Sequence, residues 1–221
     1  MKPLIKIAVI GAGGLARETH WLLRDLNRVS PQYQFVGYLV SDLSKLGEHD
    51  SKGEVLGDLS WLKKDRVDAL AIGIGTPAVR LSISQELQAS FPDLEWPALI
   101  HPTAQFDRES SHVSEGAIIC AGNIGTVNLR FEPFCFVNLA CTIGHEAVIG
   151  RGSVLNPTVN VSGGVLVESG VLVGTGAQIL QYVHVGANAT VGAGAVVTKD
   201  VEAGVTVVGI PAKPLAAKVG R

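Results

Sequence analysis

Apolar residues recur at two different spacings along the chain, and each spacing predicts a different kind of structure. In the N-terminal part, apolar runs of strand length alternate with segments in which apolar residues follow helical spacing. The apolar runs are residues 5–10, 35–40 and 69–74, and the helical segments are residues 17–28, 58–64 and 77–90. This alternation predicts a parallel sheet with right-handed crossovers, in a Rossmann-like α/β domain half the size of a complete doubly wound fold.

From Val113 onward the spacing changes to six residues and continues through fifteen hexads without an insertion. The first hexad position is Val, Ile, Leu or Phe in 14 of 15 cases, with Gly125 as the exception, so we expect this position and the mostly small fifth position to face a core. The fourth position is Gly or Asn in 9 of 15 cases, as expected where the chain turns with positive φ. Because three hexads form one triangular coil, the repeat predicts about five stacked coils of a β-solenoid.

Composition and charge narrow the range of partners and cellular settings. The chain of 221 residues has room for two domains, and its 18 basic and 20 acidic residues argue against nucleic acid or an anionic membrane as a partner. Three cysteines without a CxxC pair, an odd number, argue against a secreted disulfide framework. The apolar run at residues 4–10 is too short for a signal sequence or a membrane span. We therefore expect a soluble, cytoplasmic protein.

The stretch IGHEAVIG at residues 143–150 interrupts the small and apolar residues of the repeat with a His and a Glu. His145 occupies the third hexad position, which we expect to point away from the core, and an imidazole has a pKa near neutral pH. Transfer of an acyl group from a thioester requires a base that removes a proton from the nucleophile, and His145 suits that role. Glu146 would orient the ring, as carboxylates do in catalytic triads. The alternative is that both are ordinary surface residues of a corner.

The sequence GAGGLA at residues 11–16 places glycines between the first strand and the first helix. The loop formed by Gly11, Gly13, Gly14 and Leu15 is therefore predicted to bind a phosphate at the helix N-terminus. This phosphate would belong to the substrate.

Three further residues lie where the second and third strands are predicted to end. Asp42, Gly73 and Gly75 are predicted to contact the substrate, because parallel sheets of this kind bind ligands at the carboxyl ends of their strands. A complete dinucleotide site with Asp42 on a ribose hydroxyl is an alternative. A half-sized domain lacks the second mononucleotide half, which favours a single nucleotide over NAD.

Several segments resemble a known protein family. The hexads and the segment VVGIPAKPL at residues 207–215 resemble the left-handed β-helix acyltransferases with hexapeptide repeats. The GAGG loop, IHPTA at residues 100–104 and VNLACTIGHEAVIG at residues 137–150 resemble, more narrowly, the bacterial sugar acetyltransferases of the bacillosamine, perosamine and sialic acid pathways. The resemblance implies a nucleotide-sugar-binding domain at residues 1–97, a left-handed β-helix acyl-CoA domain at residues 98–206 and a C-terminal exit segment at residues 207–221.

The resemblance also implies roles for single residues. In the family, acetyl-CoA lies in a groove between the β-helices of a homotrimer, and the His of a His-Glu or His-Asp pair is the base, which corresponds to His145. Glu146 and Asn138 complete the implied catalytic set, with Asn138 near the acceptor. The residues implied to bind acetyl-CoA are Gly163, through its N–H on the thioester carbonyl, Gly194 and Lys213. The other histidines show no metal-site spacing, so no metal is expected.

Two positions depart from the family pattern. Relatives often have a His where this chain has Leu15, and many have a second His nine residues after the base, where this chain has Val154. Both departures leave the identity of the acceptor open. His101 is predicted to shape the domain junction, and Cys135 and Cys141 fall on core-facing positions, which favours packing over a role as nucleophile.

These features together predict an acetyl-CoA-dependent N-acetyltransferase that acts on a nucleotide-linked 4-amino-4,6-dideoxy sugar by direct attack. A sugar or sialic acid O-acetyltransferase is an alternative, because one His base suits an amine and a hydroxyl alike. A non-catalytic solenoid scaffold and a nucleotide-binding sensor are alternatives of another class. The preference for an amine comes from the resemblance alone.

Overall fold

The N-terminal domain is built on four parallel strands, in a computed structural model that describes residues 3–215. The strands are β1 (Ile5–Ile10), β2 (Tyr33–Val40), β3 (Val55–Asp58) and β4 (Ala69–Ile72), in the spatial order β3-β2-β1-β4. The helices are α1 (Gly14–Val29), which joins β1 to β2, α2 (Pro77–Ser90), which follows β4, and two 3₁₀ helices between β2 and β3 at Leu43–Lys45 and Lys52–Glu54. The half-sized parallel α/β domain predicted from the sequence is confirmed.

Two features of this domain differ from the prediction. The segment predicted as a helix at residues 58–64 forms only a short 3₁₀ helix, Leu59–Lys63. Asp58 is its N-cap and accepts a hydrogen bond from the Ser60 N–H at 2.9 Å. β3 is not predicted by the hydrophobic pattern, because the four residues VLGD are too few to show a periodicity.

The C-terminal part is a parallel β-helix with three faces. Face A contains β5 (Leu99–Ile100), β7 (Ile118–Ile119), β10 (Phe136–Val137), β13 (Val154–Leu155), β16 (Leu172–Val173), β19 (Thr190–Val191), β21 (Thr206–Val208) and β22 (Lys213–Pro214). Face B contains β8 (Ile124–Gly125), β11 (Thr142–Ile143), β14 (Asn160–Val161), β17 (Gln178–Ile179) and β20 (Val196–Val197). Face C contains β6 (His112–Val113), β9 (Arg130–Phe131), β12 (Val148–Ile149), β15 (Leu166–Val167) and β18 (His184–Val185).

Each corner of the repeat turns through a residue in the left-handed region. The fourth hexad positions from Gly116 to Gly194 all have φ between 56° and 72°. Non-glycine residues rarely adopt this conformation, yet seven do so here: Asn128, Phe134, Ala140, Glu146, Thr158, Tyr182 and Asn188. The predicted positive φ at the fourth position is therefore confirmed, and Glu146 is one of these corner residues.

The core of the β-helix consists of side chains from the first and fifth hexad positions, as predicted. Cys135 and Cys141 belong to this core and are fully buried. Burial raises the pKa of Cys135 to about 12 and that of Cys141 to about 11. Neither thiol supplies a thiolate near neutral pH, so both act as packing residues.

The β-helix begins one coil earlier than the hexad pattern indicates. β5 pairs with β7, Gln105 forms a bridge with Ile124, and β6 pairs with β9. Phe106 of this first coil also explains the exceptional Gly125, because a Cβ on Gly125 would lie 2.9 Å from the Phe106 Cβ. The first coil is hidden in the sequence because Val113 follows Phe106 by seven positions rather than six.

The N-terminal domain packs against the outer side of face A. Phe136 and Val154 point out of the β-helix and are buried in one cluster with Val9 and Leu22. Val154, which stands where many relatives have a His, is therefore part of the contact between the two domains. The predicted boundary at residues 97 and 98 lies just before β5, the first strand of the β-helix.

A buried arginine joins α2 to the corner between faces C and A. Arg80 is fully buried and donates hydrogen bonds of 2.7 to 3.1 Å to the carbonyl oxygens of Phe134, Ile72 and Ile74. Burial lowers the pKa of its guanidinium to about 10, so the group stays charged at neutral pH. Backbone carbonyls rather than a carboxylate compensate this charge.

His101 lies at the junction of the two domains, as predicted. Its Nε2 lies 3.1 Å from Asp25 Oδ2 on α1, and its Nδ1 accepts a hydrogen bond from the Thr103 N–H at 3.1 Å. Because Nδ1 is an acceptor, Nε2 carries the hydrogen and donates it to Asp25. The imidazole therefore connects the start of the β-helix to α1.

The exit segment forms the antiparallel pair β21 and β22 at the C-terminal end of face A. Residues 216–221 of the predicted exit segment at 207–221 lie outside the described residues. Among residues 3–215, no helix combines the length and apolar character that crossing a membrane requires.

Candidate functional site

His145 and Glu146 lie at the corner between faces B and C, which we call the B/C corner. β11 precedes them and β12 follows. The side chain of His145 is 43% exposed, whereas Ile143 and Ala147 on either side are buried in the core. The core therefore fixes the backbone of the pair, while the imidazole projects outward as predicted.

The Glu146 carboxylate holds the imidazole ring. Its Oε2 lies 2.5 Å from His145 Nδ1. Because an ionised carboxylate has no proton to donate, Nδ1 carries the hydrogen and the neutral ring has its lone pair on Nε2. The hydrogen bond from His145, followed by one from Asn128, holds the pKa of Glu146 below its ordinary value. His145 is therefore oriented to accept a proton at Nε2.

The other edge of the imidazole faces Gly163, one coil further along the β-helix. A Cβ on Gly163 would lie 2.4 Å from both Nε2 and Cε1 of His145, so only glycine leaves room for the ring. The Gly163 carbonyl accepts a hydrogen bond from the Tyr182 N–H, but its own N–H has no acceptor among residues 3–215. An imidazole nitrogen thus lies next to a residue whose backbone N–H is without an acceptor among residues 3–215, an arrangement that suits acyl transfer.

Asn138 and Gly194 lie at a different corner, between faces A and B. Asn138 is buried directly after β10, and its Oδ1 accepts a hydrogen bond from the Leu139 N–H at 2.8 Å. Strand β11 runs between Asn138 and His145. A single chain therefore does not bring Asn138 or Gly194 together with His145.

Lys213, the third residue implied to bind acetyl-CoA, lies on β22 and is exposed. It lines a cavity of about 420 Å³ at the C-terminal end of the β-helix, together with Lys199 and two acidic residues, Asp200 and Glu202. Within one chain, Lys213 therefore lies at the C-terminal end of the β-helix, beyond the coil that contains Gly163.

The glycine loop lies at the carboxyl edge of the N-terminal sheet. Gly11 has a φ of 104°, and a Cβ there would lie 2.9 Å from the Gly73 carbonyl oxygen, so this glycine permits close approach of the ends of β1 and β4. Gly13 is the N-cap of α1, which has no side-chain cap. The first amides of α1 therefore lack a capping side chain, as an anion site requires.

The remaining predicted residues of this edge lie beside the same loop. A Cβ on Gly14 would meet nothing within 4 Å, and a Cβ on Gly75 would lie 3.4 Å from Leu15 Cδ2. The structure therefore brings the glycine loop together with residues 73–75. The side-chain carboxylate of Asp50 also lies next to this loop, with its Oδ1 3.4 Å from the Cβ position of Gly13.

Asp42 is engaged in local contacts. Its Oδ1 accepts hydrogen bonds from the Ser44 hydroxyl at 2.7 Å and the Ser44 N–H at 2.9 Å, and its Oδ2 lies 3.3 Å from Lys45 Nζ. The Ser44 hydroxyl, above all, lowers the pKa of Asp42. A ribose hydroxyl bound to Asp42 would have to compete with these partners.

Two groups near the candidate sites were missed by sequence reasoning. Asn128 contacts Glu146 from the preceding coil, and the only sequence signal for it is the spacing of 18 residues. His20 stacks on Phe35 with ring centroids 3.7 Å apart, and its Nδ1 lies 3.2 Å from the Tyr38 hydroxyl. Burial lowers the pKa of His20. Within the described chain, no group of three or more His, Cys, Asp or Glu side chains is arranged to hold a metal ion.

The N-terminal domain matches a described family. Residues 6–87 match the PglD N-terminal domain family. This range begins within β1 and ends within α2, so it includes the glycine loop and the carboxyl edge of the sheet.

Solved structures match the whole chain. The acetyltransferase domain of PglB from Neisseria gonorrhoeae FA1090, in complex with acetyl coenzyme A, is 26% identical with a TM-score of 0.82, covering 96% of this chain and 100% of that chain. WeeI from Acinetobacter baumannii AYE is 28% identical with a TM-score of 0.81, covering 96% and 100%. A variant of perosamine N-acetyltransferase from Caulobacter crescentus, in complex with CoA and GDP-perosamine, is 24% identical with a TM-score of 0.82, covering 96% and 97%, and shows the shared fold.

Curated relatives match part of the chain. The acyl-[acyl-carrier-protein]–UDP-N-acetylglucosamine O-acyltransferase of Pseudomonas putida is 32% identical over 126 residues, which is 55% of this chain and 47% of that protein. The chain thus spans about half the length of the curated relatives it matches.

These comparisons confirm both the resemblance and the left-handed β-helix fold that the resemblance implies. The acyltransferase class expected here is also the class of the Neisseria, Caulobacter and Pseudomonas proteins. With a PglD-type N-terminal domain followed by hexapeptide-repeat coils, the chain is similar over 96% of its length to WeeI and to the acetyltransferase domain of PglB.

Proposed function

We propose that this chain is an acetyl-CoA-dependent acetyltransferase whose acceptor is a nucleotide-linked 4-amino-4,6-dideoxy sugar. The observation that carries the proposal is the packing of His145 Nε2 against Gly163, whose backbone N–H has no acceptor among residues 3–215. The acetyl coenzyme A in the Neisseria relative and the GDP-perosamine in the Caulobacter relative support the two substrate classes.

In the proposed reaction, the sugar amine attacks the thioester carbonyl carbon of acetyl-CoA. As the C–N bond forms, His145 Nε2 takes the proton from the nitrogen. The Gly163 N–H donates a hydrogen bond to the carbonyl oxygen as that oxygen becomes negative. The C–S bond then breaks, and the proton on His145 passes to the leaving thiolate. The products are an amide and CoA, without a covalent enzyme intermediate.

The site is completed by a second copy of the chain in this proposal. His145 and Gly163 lie at the B/C corner, whereas Asn138 and Gly194 lie at the corner between faces A and B. In a homotrimer with parallel β-helices, the corner between faces A and B of one copy faces the B/C corner of the next. Light scattering should therefore give a trimer, and a monomer at micromolar concentration would contradict this arrangement of the site.

The direct test is turnover with a panel of UDP-, GDP- and dTDP-linked 4-amino-4,6-dideoxy sugars. Release of the CoA thiol and a product mass increased by one acetyl group are expected with at least one sugar. Acetyl-CoA alone should raise the melting temperature, because a ligand that binds only the folded state stabilises it by mass action. A protein that is stabilised by NAD but not by acetyl-CoA would instead be a nucleotide sensor, and one that responds to neither would be a scaffold.

Acetylation of a sugar hydroxyl is a second candidate, because the Pseudomonas relatives are O-acyltransferases. An amine and a hydroxyl both give up a proton to one base, so the His145 site suits either nucleophile. The product distinguishes them, since an ester releases acetate in dilute alkali and an amide survives it. Acetate release would replace the N-acetyl assignment and leave the acyltransferase mechanism intact.

A further inference from the structure

The second oxygen of the Glu146 carboxylate has a partner in the preceding coil. Asn128 Nδ2 donates a hydrogen bond to Glu146 Oε1 at 3.4 Å, while Glu146 Oε2 holds His145. Asn128 and Glu146 occupy the same corner position, 18 residues apart, and both have a φ of 57°. The β-helix therefore stacks the amide directly against the carboxylate that orients the ring.

Asn128 is itself held in place. Its backbone N–H donates a hydrogen bond to Ser110 Oγ at 2.9 Å, and the Ser110 hydroxyl donates one to Asp107 Oδ2 at 2.5 Å. The Ser110 hydroxyl is the main cause that lowers the pKa of Asp107. A continuous series of hydrogen bonds thus runs from the first coil to Glu146.

The Glu146 side chain needs such support because it is 56% exposed. A long, exposed side chain with one partner exchanges between rotamers, and a carboxylate that moves does not fix a ring. Asn128 binds the oxygen that His145 leaves free, so the carboxylate is held at both ends. Loss of this bond would also let the pKa of Glu146 rise towards its ordinary value, since Asn128 is one of the groups that lower it.

We propose that Asn128 is a positioning residue, which holds the Glu146 carboxylate in the rotamer that orients His145 for proton transfer. The inference rests on the proposed function, because the orientation matters only if His145 is the base. Asn128 does not touch the reacting atoms. Asn suits this corner position because it tolerates the left-handed conformation and also carries a side-chain amide donor.

The test replaces Asn128 by Gly, which keeps the left-handed corner and removes only the amide. Asn128→Gly should lower kcat roughly 3- to 10-fold, the scale of one hydrogen bond, with unchanged KM for acetyl-CoA and for the sugar. The matched control is Asn188→Gly, a corner Asn with a φ of 58° between faces C and A, which should keep wild-type kcat. Equal kcat in Asn128→Gly and wild type would overturn the inference.

A double-mutant cycle separates positioning from general damage to the corner. Glu146→Gly also keeps the left-handed conformation, and Asn128→Gly should have no further effect on kcat in that background. The same loss in both backgrounds would show a merely structural role and overturn the inference. Carboxyl ¹³C NMR adds a readout that does not need turnover: Asn128→Gly should raise the pKa of Glu146, and Asn188→Gly should not. If the wild type fails to transfer acetyl groups, the proposed function is wrong. An unchanged Glu146 pKa in Asn128→Gly would instead contradict the hydrogen bond between Asn128 and Glu146, and with it this inference.

Discussion

His145 and His184 each contact a glutamate on the same β-helix. His145 Nδ1 lies 2.5 Å from Glu146 Oε2, and His184 Nε2 lies 2.8 Å from Glu168 Oε1. The two imidazoles are similarly exposed, at 43% and 45% of their side-chain surface. The residue types, the nitrogen–oxygen distances and the exposed fractions of the imidazoles therefore do not distinguish the two His-Glu pairs.

Their surroundings do distinguish them. Glu168 uses its other oxygen to accept the Ala187 N–H at 2.7 Å, so this carboxylate ties down the backbone of a corner. Glu146 has no such backbone bond among the described residues, and the other ring nitrogen of His145 packs against Gly163, whose N–H has no acceptor among them. A His-Glu pair becomes a candidate for catalysis only where a donor for the substrate lies next to it.

The largest expected effect separates the two histidines. His145→Ala should lower kcat by roughly 10² or more, the usual range for losing a general base, while acetyl-CoA binding and the fold persist. His184→Ala should stay within about twofold of wild type, because its Nε2 is already bound to Glu168, whose other oxygen accepts the Ala187 N–H. CoA release measures both, and thermal shift with acetyl-CoA checks binding. Equal activity of the two variants would show that the His145–Glu146 pair and the His184–Glu168 pair do not differ in function.

A smaller loss is expected from the glycine that faces the base. Gly163→Ala places a Cβ 2.4 Å from His145 Nε2, so the ring must move away from the amide donor. We expect kcat to fall roughly 10- to 100-fold, as for misplaced catalytic groups. Gly53→Ala is the control, because nothing lies within 4 Å of a Cβ there. Wild-type kcat in Gly163→Ala would show that the contact is not needed.

The two glutamates should differ in what they support. Glu146→Gln should lower kcat several-fold, less than His145→Ala, because the ring loses part of its orientation and the charge that stabilises its protonated form. Glu168→Gln should leave kcat unchanged and slightly lower the melting temperature. Steady-state kinetics and calorimetry on both variants measure this. The reverse pattern would assign the functional role to the His184 pair.

The smallest expected effect is on acid stability. Hydrogen bonds from His184 first, and then from the Ala187 N–H, hold the pKa of Glu168 below its ordinary value of 4.5. A carboxyl with a depressed folded pKa stabilises the fold fully above its unfolded pKa, and this contribution is lost as the pH falls through the folded pKa. Urea midpoints should therefore fall below about pH 4.5 in the wild type, with a shallower fall in Glu168→Gln. Parallel curves would show that the pair contributes nothing to folding.

Much of the β-helix is predictable from the sequence because its rule is local. Each corner needs a left-handed residue and each first position needs an apolar side chain, so every hexad repeats the same signal. A misassigned residue in one hexad therefore does not change the assignment of the next. The 18-residue coil then places Gly163 beside His145 without further information. The first coil is the exception, since the spacing of seven positions from Phe106 to Val113 breaks the six-residue pattern.

The sequence by itself determined the coil architecture, the glycine loop, the outward direction of His145 and the burial of Cys135 and Cys141. It did so because these depend on contacts within a repeat or between adjacent elements. Only the tertiary structure decided which side of the β-helix is covered, that Val154 lies in the domain contact, and that Arg80 is buried with carbonyls as its partners. It also placed Asn138 one corner away from His145 and Asn128 against Glu146. Such contacts join parts of the chain that are distant in sequence, and hydrophobic spacing does not predict which of their side chains come into contact.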